Sequence, residues 1–365
     1  MTITPFFPET YDEAIERTQT WLEPVRKMWP RAQWQSVPLY PEEGLAFTWL
    51  EGISPHASRA LLLTGGLHGI EGYAGIALLD LFINEYLSLI DAATVNLYIV
   101  PVINPWGMKH GRRVNPNNVD LNRNFLSDTD FMRDINPEYA QMASFLHPER
   151  PLAWYDRYLF YPRLLRCIRE CGLETLRNVY PRGQNRFPRG LHYTGQQRQP
   201  ETQHLVEVLE HIVSQHESLI HLDIHTGFGP KGILNLVFPA SEPHTVEELQ
   251  DILSYPRVVK TATANFYPVV GDLSDHLLHV IAARTSTRTL TFALEYGTIG
   301  NQPASLRAMM FENRLYWYGT TSPRTARWVL SEFRKLYYPK TPTWRQKAVA
   351  QSREVFQRVV TRLLA

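Results

Sequence analysis

The chain has 365 residues and a formal net charge of +1, with 44% hydrophobic and 20% charged residues. These values are typical of globular proteins, so they exclude a disordered chain and a coiled coil as descriptions of the whole molecule. The balanced charge disfavours a nucleic acid or a membrane as a partner, because both normally require a clear basic excess.

The amino-terminal segment predicts a helix followed by a hairpin. It does not have the charged stretch and short apolar run of a secretory signal, and the chain has no stretch of about 18 uninterrupted apolar residues, so we expect a cytoplasmic protein. Acidic and aromatic residues recur at helical spacing from Thr10 to Met28, with Pro30 after the end of the pattern. Segments 34–40 and 44–51 are prone to form strands, and the turn residues between them predict a hairpin at a sheet edge.

The rest of the chain alternates between apolar runs and amphipathic patterns. The run from Ala60 to Gly66 is apolar and ends in glycines, which is typical of a strand buried on both faces. Further strands are predicted at 94–103, 218–224, 232–238 and 288–295, and helices at 70–87, 203–214, 245–254 and, as a long amphipathic pair, from Ser305 onward. A strand, a helix and a second strand in succession imply a right-handed crossover. The predicted fold is therefore α/β, with a mixed, largely parallel twisted sheet and helices on both faces.

Residues 126–200 differ in composition from the rest of the chain. They are rich in arginine, aromatic residues and proline, and they show one short helical pattern near Leu164. The segment is too apolar for a free linker, so we predict an inserted helical and loop segment folded over the core of a single domain that spans residues 1–365. The two cysteines, Cys167 and Cys171, lie four residues apart as on one helix face, and they do not indicate a disulfide framework.

Two donor residues at a helix start predict part of a metal site. His68 and Glu71 follow the glycine turn that ends the first core strand, where open α/β sheets place their ligand sites. Zinc binds imidazole nitrogen and carboxylate oxygen, and two histidines, a glutamate and a water form a known catalytic arrangement. The second histidine is predicted to be His225, which comes last before a glycine turn at the end of another strand. His221 lies deeper in the same strand and is the alternative.

Loop arginines and a late glutamate supply further polar groups. Arg112 and Arg113 lie in a polar loop after the second core strand. Arginines near a metal can either hold a carboxylate with two hydrogen bonds or stabilise an oxyanion. Glu295 ends the last apolar strand, and a carboxylate beside metal-activated water can accept its proton and pass it to the leaving group.

The order of these groups resembles that of the zinc carboxypeptidase superfamily, which includes carboxypeptidase A-like enzymes and the aspartoacylase and succinylglutamate desuccinylase deacylases. The matching residues are His68-Gly-Ile-Glu71, Asn104-Pro-Trp-Gly107, Arg112 and Arg113, Asn122-Arg123, His225 and Glu295, in that order. The resemblance spans about residues 45 to 300. More narrowly, the chain resembles a bacterial branch of that superfamily that has no known function and is named only as metallopeptidases.

The resemblance implies a role for each matching position. It implies one Zn²⁺ ion held by His68, Glu71 and His225, with Glu295 as general base and acid. Arg113, or else Arg112, would polarise the scissile carbonyl. Asn122 and Arg123 would bind a substrate carboxylate, and Tyr267 would be a mobile tyrosine that covers the bound substrate. Ser274 stands where carboxypeptidases of the digestive type carry a specificity residue, so the side-chain preference stays open.

The expected function is therefore zinc-dependent hydrolysis of an amide bond next to a free carboxylate, in a peptide or an N-acyl amino acid. An N-acyl amino acid deacylase and a non-catalytic peptide-binding relative are the alternatives. A second metal ion would need Asp223 or Asp120 as an additional ligand. The arginine- and tyrosine-rich parts of the insertion form either walls of the cleft or a surface flap, and the oligomeric state stays open.

Overall fold

A computed structural model of the chain describes residues 6–263, 266–300 and 302–364. The strands of the described residues form one eight-stranded sheet in the order β1-β2-β4-β3-β5-β8-β6-β7. The strands are β1 (Gln33–Tyr40), β2 (Leu45–Gly52), β3 (Arg59–Gly65), β4 (Val95–Val100), β5 (Ser218–Thr226), β6 (Leu234–Phe238), β7 (Val258–Lys260) and β8 (Arg288–Tyr296).

The centre of the sheet is parallel and its edges are mixed. Strands β4, β3, β5 and β8 run parallel to one another. The predicted hairpin forms the antiparallel pair β1 and β2 at one edge, whereas β6 is antiparallel to β8 and parallel to β7 at the other. The predicted mixed, largely parallel sheet is thus confirmed. Strand β7 was not predicted, because three residues are too few for a recognisable pattern.

The helices cover both faces of this sheet. They are α1 (Tyr11–Gln19), α2 (Leu22–Met28), α3 (Gly72–Glu85), α4 (Pro105–Lys109), α5 (Asp128–Met132), α6 (Ala143–Leu146), α7 (Asp156–Cys171), α8 (Leu173–Val179), α9 (Pro200–Gln215), α10 (Val246–Leu253), α11 (Leu273–His276), α12 (Ala283–Thr285), α13 (Gln302–Tyr318), α14 (Pro323–Tyr337) and α15 (Pro342–Arg358).

Strand β3 explains why the core strands read as continuous apolar runs. Leu61 and Leu63 belong to one hydrophobic cluster, which includes apolar residues of α3 and α15. Ala60 and Leu62 belong to the other cluster, which includes apolar residues of α9. Successive side chains of a strand point to opposite faces, so a strand covered by helices on both sides has no polar face.

The predicted amino-terminal helix is broken into α1 and α2. Pro24 has no backbone N–H to donate to the carbonyl of Thr20, and its ring would clash with that carbonyl in a continuous helix. The chain therefore ends α1 at Gln19 and starts again at Leu22.

The helical content of the insertion and of the carboxyl-terminal part was underestimated. The insertion contains four helices where one short one was predicted, and the longest, α7, extends over 16 residues. Apolar residues of the insertion pack into a separate cluster with residues of α13 and α14. The predicted carboxyl-terminal pair is a set of three, because Gly319 at φ +66° ends α13 and Pro342 lies at the start of α15.

The two cysteines lie on α7, as the spacing predicted. Both are free thiols, and their Sγ atoms are 3.6 Å apart. None of the helices in the described ranges combines the length and the apolar character that crossing a membrane requires.

Candidate metal centre and cleft

Three parallel strands bring the predicted site residues to one edge of the sheet. His68 follows the end of β3, and His225 and Glu295 are each the penultimate residue of their strands, β5 and β8. His225 pairs directly with Glu295 in the register of β5 and β8. Neighbouring strands lie about 4.8 Å apart, so in-register side chains on the same face are adjacent.

A close backbone contact fixes the turn that carries His68 and Glu71. Gly69 lies so near Gly107 that a Cβ atom at residue 69 would be 2.2 Å from the carbonyl carbon of residue 107. The backbone N–H of Gly69 and the side-chain amide of Asn104 both donate to the carbonyl of Arg113, at 3.1 and 3.4 Å. The His-x-x-Glu turn, the Asn-Pro-x-Gly helix start and the arginine loop are therefore joined directly to one another.

The side chains of His68, Glu71 and His225 converge. One potential ligand atom from each lies within 4.8 Å of the other two, and all three residues are buried. The Nδ1 atoms of His68 and His225 are 3.2 Å apart. They lie 2.9 and 3.2 Å from the two carboxylate oxygens of Glu71. The structure thus brings together the three residues that were predicted to bind a metal.

The Nε2 atom of each imidazole lies at hydrogen-bond distance from a different buried aspartate. His68 Nε2 lies 3.1 Å from Asp120, and His225 Nε2 lies 2.6 Å from Asp223. An ionised carboxylate only accepts hydrogen bonds, so each Nε2 donates to its aspartate, and in the neutral ring each Nδ1 presents its lone pair to the cluster. Carboxylates that orient metal-binding imidazoles in this way are a recurrent feature of metal sites.

The charges of the cluster shift the pKa values of its members. Burial by itself raises the pKa of the Glu71 carboxyl, but the neighbouring His68 and His225 outweigh burial and lower it to about 2. Burial lowers the pKa of His225, whereas Asp223 and Glu71 outweigh burial and raise it well above its ordinary value. The carboxylates of Glu71 and Asp223 thus stabilise positive charge on the groups between them. A divalent cation bound to the cluster would provide such charge.

His221 lies in the core and not in the cluster. It is fully buried, with its ring nitrogens 2.9 Å from the hydroxyls of Thr64 and Thr291. Thr64 also donates to Asp223 at 2.6 Å, so a hydrogen-bonded chain connects His221 to the aspartate that holds His225. Side chains alternate along β5, so residues 221, 223 and 225 lie on one face of the strand. This alternation could have predicted that Asp223 contacts the ring of His225.

Asp120 connects the cluster to the arginine loop. It accepts hydrogen bonds from Arg113 at 3.1 Å and from His192 at 2.9 Å, in addition to His68. Burial raises the pKa of the Asp120 carboxyl, but Arg113 and the other donors outweigh burial and lower it well below its usual range. Arg113 also lies 3.4 Å from Glu71. The guanidinium of Arg113 therefore borders the cluster, where it was predicted.

His192 was not predicted to contact this network. Its Nδ1 donates to Asp120, and burial lowers the pKa of the ring to about 4 despite that contact, so the ring is neutral near pH 7. Its Nε2 is buried and has no hydrogen-bond partner among the described residues. A histidine inside a long insertion carries no sequence signal for a contact with a residue 72 positions away.

Glu295 lies beside the cluster with one oxygen unpaired. Its Oε2 is buried and has no hydrogen-bond partner among the described residues. Burial raises the pKa of the carboxyl above its ordinary value, although His225 acts in the opposite direction. An unpaired carboxylate oxygen with a raised pKa is suited to accept a proton.

A cleft of about 630 Å³ opens at this edge of the sheet. Its lining includes His68, Arg113, Asn122, Arg123, His225, Tyr267 and Glu295 of the predicted site, together with Arg177, Asn178, Tyr180, Pro181 and His192 of the insertion. The insertion therefore forms part of the cleft wall.

Arg123 is less available than the resemblance implies. It is 1% exposed, and its Nε and Nη2 donate to the carbonyl of Pro181 at 3.0 and 2.8 Å while its Nη1 donates to that of Asn122 at 2.7 Å. The side-chain oxygen of Asn122 accepts the backbone N–H of Leu273. Tyr267 packs against the ring of Phe266 at the cleft wall.

Arg112 is not among the residues that line the cleft, against the expectation that it contacts substrate. Its Nε donates to Glu312 at 2.8 Å, and its guanidinium lies 3.5 Å from the centre of the Tyr316 ring. A buried guanidinium requires a carboxylate partner, and Glu312 provides it.

The two aspartates that were considered for a second ion face the first cluster. Asp120 and Asp223 both accept hydrogen bonds from the imidazoles of that cluster. Within the described part of the chain, His68, Glu71 and His225 form the one group of three or more donors with metal-site spacing.

Comparisons with known proteins give a family without an assigned function. The family model described as "Protein of unknown function (DUF2817)" matches residues 44–351. No curated protein is significantly similar in sequence.

Several solved structures resemble the fold at low identity. A carboxypeptidase A from Helicoverpa armigera is 15% identical, with 88% of this chain and 74% of that chain covered and a TM-score of 0.47. Bovine thrombin-activatable fibrinolysis inhibitor is 15% identical, with 88% and 97% covered and a TM-score of 0.46. A protein from Shewanella amazonensis, provisionally designated a metallopeptidase, is 14% identical, with 84% and 91% covered and a TM-score of 0.42. These likenesses are too distant to carry a conclusion about activity.

Proposed function

The chain belongs to the DUF2817 family, and for this member we propose a zinc-dependent hydrolase of amide bonds next to a free carboxylate, of the metallocarboxypeptidase kind. The observation that carries the proposal is the convergence of His68, Glu71 and His225, with ligand atoms within 4.8 Å of one another. The cluster lies at the carboxyl edge of a parallel sheet, and its two histidines line a cleft. This edge is the usual place for a ligand site in this type of fold.

The donor set fits zinc. Two imidazole nitrogens and a carboxylate suit zinc among the common divalent cations, because sites for Mg²⁺ or Ca²⁺ consist of oxygen ligands. Asp120 and Asp223 hold the Nε2 atoms of both imidazoles, so the two Nδ1 atoms face each other. Each Nδ1 would offer its lone pair to a bound cation after losing any proton that it carries. A zinc ion held there would supply Lewis acidity for a substrate carbonyl and would lower the pKa of water enough for attack near neutral pH.

Glu295 is the proposed proton carrier. Its unpaired Oε2 accepts a proton from the water that attacks the carbonyl carbon, as the new carbon–oxygen bond forms. The protonated carboxyl then donates this proton to the amide nitrogen, as the carbon–nitrogen bond breaks and the amine leaves. The raised pKa of Glu295 suits both steps, since a carboxylate with a higher pKa binds the proton of the water more strongly and holds it until the leaving nitrogen accepts it.

Arg113 is the proposed stabiliser of the developing oxyanion. It lines the cleft, and 15% of its side chain is exposed. Asp120 and Glu71 hold its guanidinium at the border of the cluster. Donors that are already oriented before the reaction stabilise a developing charge without reorganisation at the moment of bond formation.

The substrate carboxylate is proposed to bind at Asn122 and Arg123. Each nitrogen of Arg123 already donates to a backbone carbonyl. A guanidinium has five N–H groups, so two remain for a carboxylate. Tyr267 borders the same part of the cleft and is proposed to close over the bound substrate.

The size of the cleft favours a deacylase of N-acyl amino acids as the second candidate. A cleft of about 630 Å³ is within the range of sites that enclose small molecules. The insertion contributes part of the wall, and we propose that this part limits how far a long peptide can extend. Both candidates use the same metal cluster and the same proton carrier.

Metal analysis and a substrate screen test the proposal. The purified protein should contain about one zinc ion per chain, and chelation should abolish hydrolysis. N-blocked dipeptides and N-acyl amino acids with a free carboxylate should be cleaved at least about tenfold faster than the same compounds with an amidated end, because a hydrogen-bonded charge pair is lost in the amides. Peptide cleavage would select the carboxypeptidase and N-acyl amino acid cleavage the deacylase. Absence of metal-dependent hydrolysis in both series would contradict the proposal.

A further inference from the structure

A second cavity lies between the insertion and α13. It has a volume of about 250 Å³ and is bordered by residues of the insertion, among them Phe145 and Phe160, and by Met310 and Phe311 of α13. Among the residues that the structure describes, it shares no lining residue with the cleft at the sheet edge. The cavity is therefore a separate place from the proposed substrate site.

Three arginines surround one carboxylate at this cavity. Asp156 accepts hydrogen bonds from Arg150 at 2.7 and 3.1 Å, from Arg163 at 2.7 Å, and lies 2.9 Å from Nη2 of Arg314. All four residues line the cavity. Arginine stays charged at any working pH, so the group carries two positive charges in excess.

The four charged residues at this cavity differ in exposure: Asp156 and Arg314 are buried, whereas Arg150 and Arg163 are partly exposed. The side chains of Asp156 and Arg314 are 0% and 3% exposed. Arg314 also donates to the backbone carbonyls of Arg150 and Pro151. In contrast, the side chains of Arg150 and Arg163 are 39% and 40% exposed, and Arg163 donates to Asp156 through Nη1. The two exposed guanidinium groups therefore present N–H groups at the opening of the cavity.

No other described residue that lines the cavity carries a negative charge to balance this excess. Asp156 is the one acidic residue in the described lining, and Ser144 supplies a hydroxyl. The remaining walls are largely apolar, which weakens the screening of charge. Burial, with Arg150 and Arg163 acting in the same direction, lowers the pKa of Arg314 despite its contact with Asp156.

We propose that this cavity binds a small oxyanion, a phosphate or carboxylate group, between Arg150 and Arg163. The guanidinium fork pairs with such a group through two parallel hydrogen bonds. The bound oxyanion supplies the negative charge that the arginine group lacks. If the oxyanion is part of a larger ligand, the aromatic wall accommodates the apolar part of that ligand.

Thermal unfolding and calorimetry of the intact protein test this site with inorganic phosphate as the probe. Phosphate should raise the melting temperature in a saturable manner, beyond the effect of chloride at equal ionic strength. Arg163→Met keeps the apolar stem but loses the guanidinium, so its apparent affinity for phosphate should be at least about tenfold weaker. Arg150→Met should show the same change, which provides a second variant if the first folds poorly.

Arg166→Met is the matched control. Arg166 lies on the same helix, pairs with Glu170 at the surface with 79% of its side chain exposed, and does not line the cavity. Its phosphate affinity should equal that of the unmodified protein. Acetate and malonate, titrated in the same way, distinguish a carboxylate ligand from a phosphate ligand. An unsaturable response to all three anions, or equal affinities in the Arg163 and Arg166 variants, would overturn the proposal.

Discussion

The sheet-edge cluster and the arginine cavity carry opposite imbalances of charge. At the sheet edge, the carboxylates of Glu71, Asp120 and Asp223 surround two imidazoles. In the cavity, three guanidinium groups surround the single carboxylate of Asp156. Burial makes an unbalanced charge costly. The sign of the excess at each place therefore indicates the sign of the ligand that completes it.

The two places also differ in how firmly they hold their side chains. The side chains of His68, Glu71 and His225 are 5%, 1% and 3% exposed. His225 lies at the end of β5, whose register the sheet fixes, and His68 and Glu71 lie in the turn that the Gly69–Gly107 contact fixes. The open arginines of the cavity lie in the insertion and are well exposed. A rigid donor set favours tight and selective binding, because little ordering remains to be done when the ligand arrives. We therefore expect tight metal binding at the first place and weaker, faster anion binding at the second.

Removal of a proposed ligand should have the largest effect. His225→Ala should lose zinc and with it all measurable hydrolysis, because two protein ligands hold zinc far more weakly than three. Metal content after gel filtration and substrate turnover measure the two effects. His221→Ala is the matched control: it should lower the melting temperature, since His221 is buried, but keep its zinc. Full zinc occupancy in the His225 variant would remove His225 from the proposed set of ligands.

Glu295→Gln should separate metal binding from chemistry. Gln has the same shape but does not accept the proton of the attacking water, so turnover should fall by about 10²- to 10⁴-fold. Zinc content should be unchanged, because Glu295 is not one of the three converging donors. Retained turnover in a zinc-loaded variant would remove Glu295 from the mechanism.

Asp156→Asn should break the cavity and leave the sheet-edge cluster intact. It leaves three guanidinium groups without their buried carboxylate, so we expect a loss of about 3 kcal/mol in the free energy of unfolding. Bound phosphate should restore part of the lost free energy of unfolding. Glu170→Gln, which removes the exposed partner of Arg166 on the same helix, should cost less than about 1 kcal/mol. Denaturant unfolding of both variants measures the difference, and equal losses would argue against a special role for the arginine group.

Asp223→Asn should give the smallest of these effects. The amide holds the His225 ring less firmly than the carboxylate, so zinc affinity should fall by about 10- to 100-fold. Competition with a chelator measures it. Asp272→Asn is the control, because Asp272 lines the cleft but its side chain caps a helix through the N–H of Asp275 and does not hold a ligand imidazole. Equal affinities in the two variants would show that the carboxylate behind His225 is dispensable.

The sequence predicted the sheet-edge cluster better than the rest of the molecule for a physical reason. The apolar runs of β3, β5 and β8 are unmistakable, and parallel strands end at the same edge, so residues that follow those runs must lie near one another. The prediction of His225 over His221 used that rule. Asp223 lies on the same face as His225, yet it was considered only for a second ion and not as a partner of the ring.

The arginine cavity could not be predicted in the same way. Asp156 and Arg314 are far apart in the sequence, and their contact depends on how the insertion packs against α13, for which no strand register provides a rule. The same reason explains the unpredicted contact of His192 with Asp120. Arginines in a loop-rich segment have the same sequence pattern whether they face solvent or a buried carboxylate.

The contact between Gly69 and Gly107 constrains how this protein can change. Each glycine belongs to one of the motifs that surround the cluster, and the backbones touch where any side chain would have to fit. Even a methyl group on residue 69 would push the two segments apart and carry His68 and Glu71 with it. The His-x-x-Glu turn and the Asn-Pro-x-Gly helix start therefore form one structural unit. They can be transferred to another scaffold or redesigned only together.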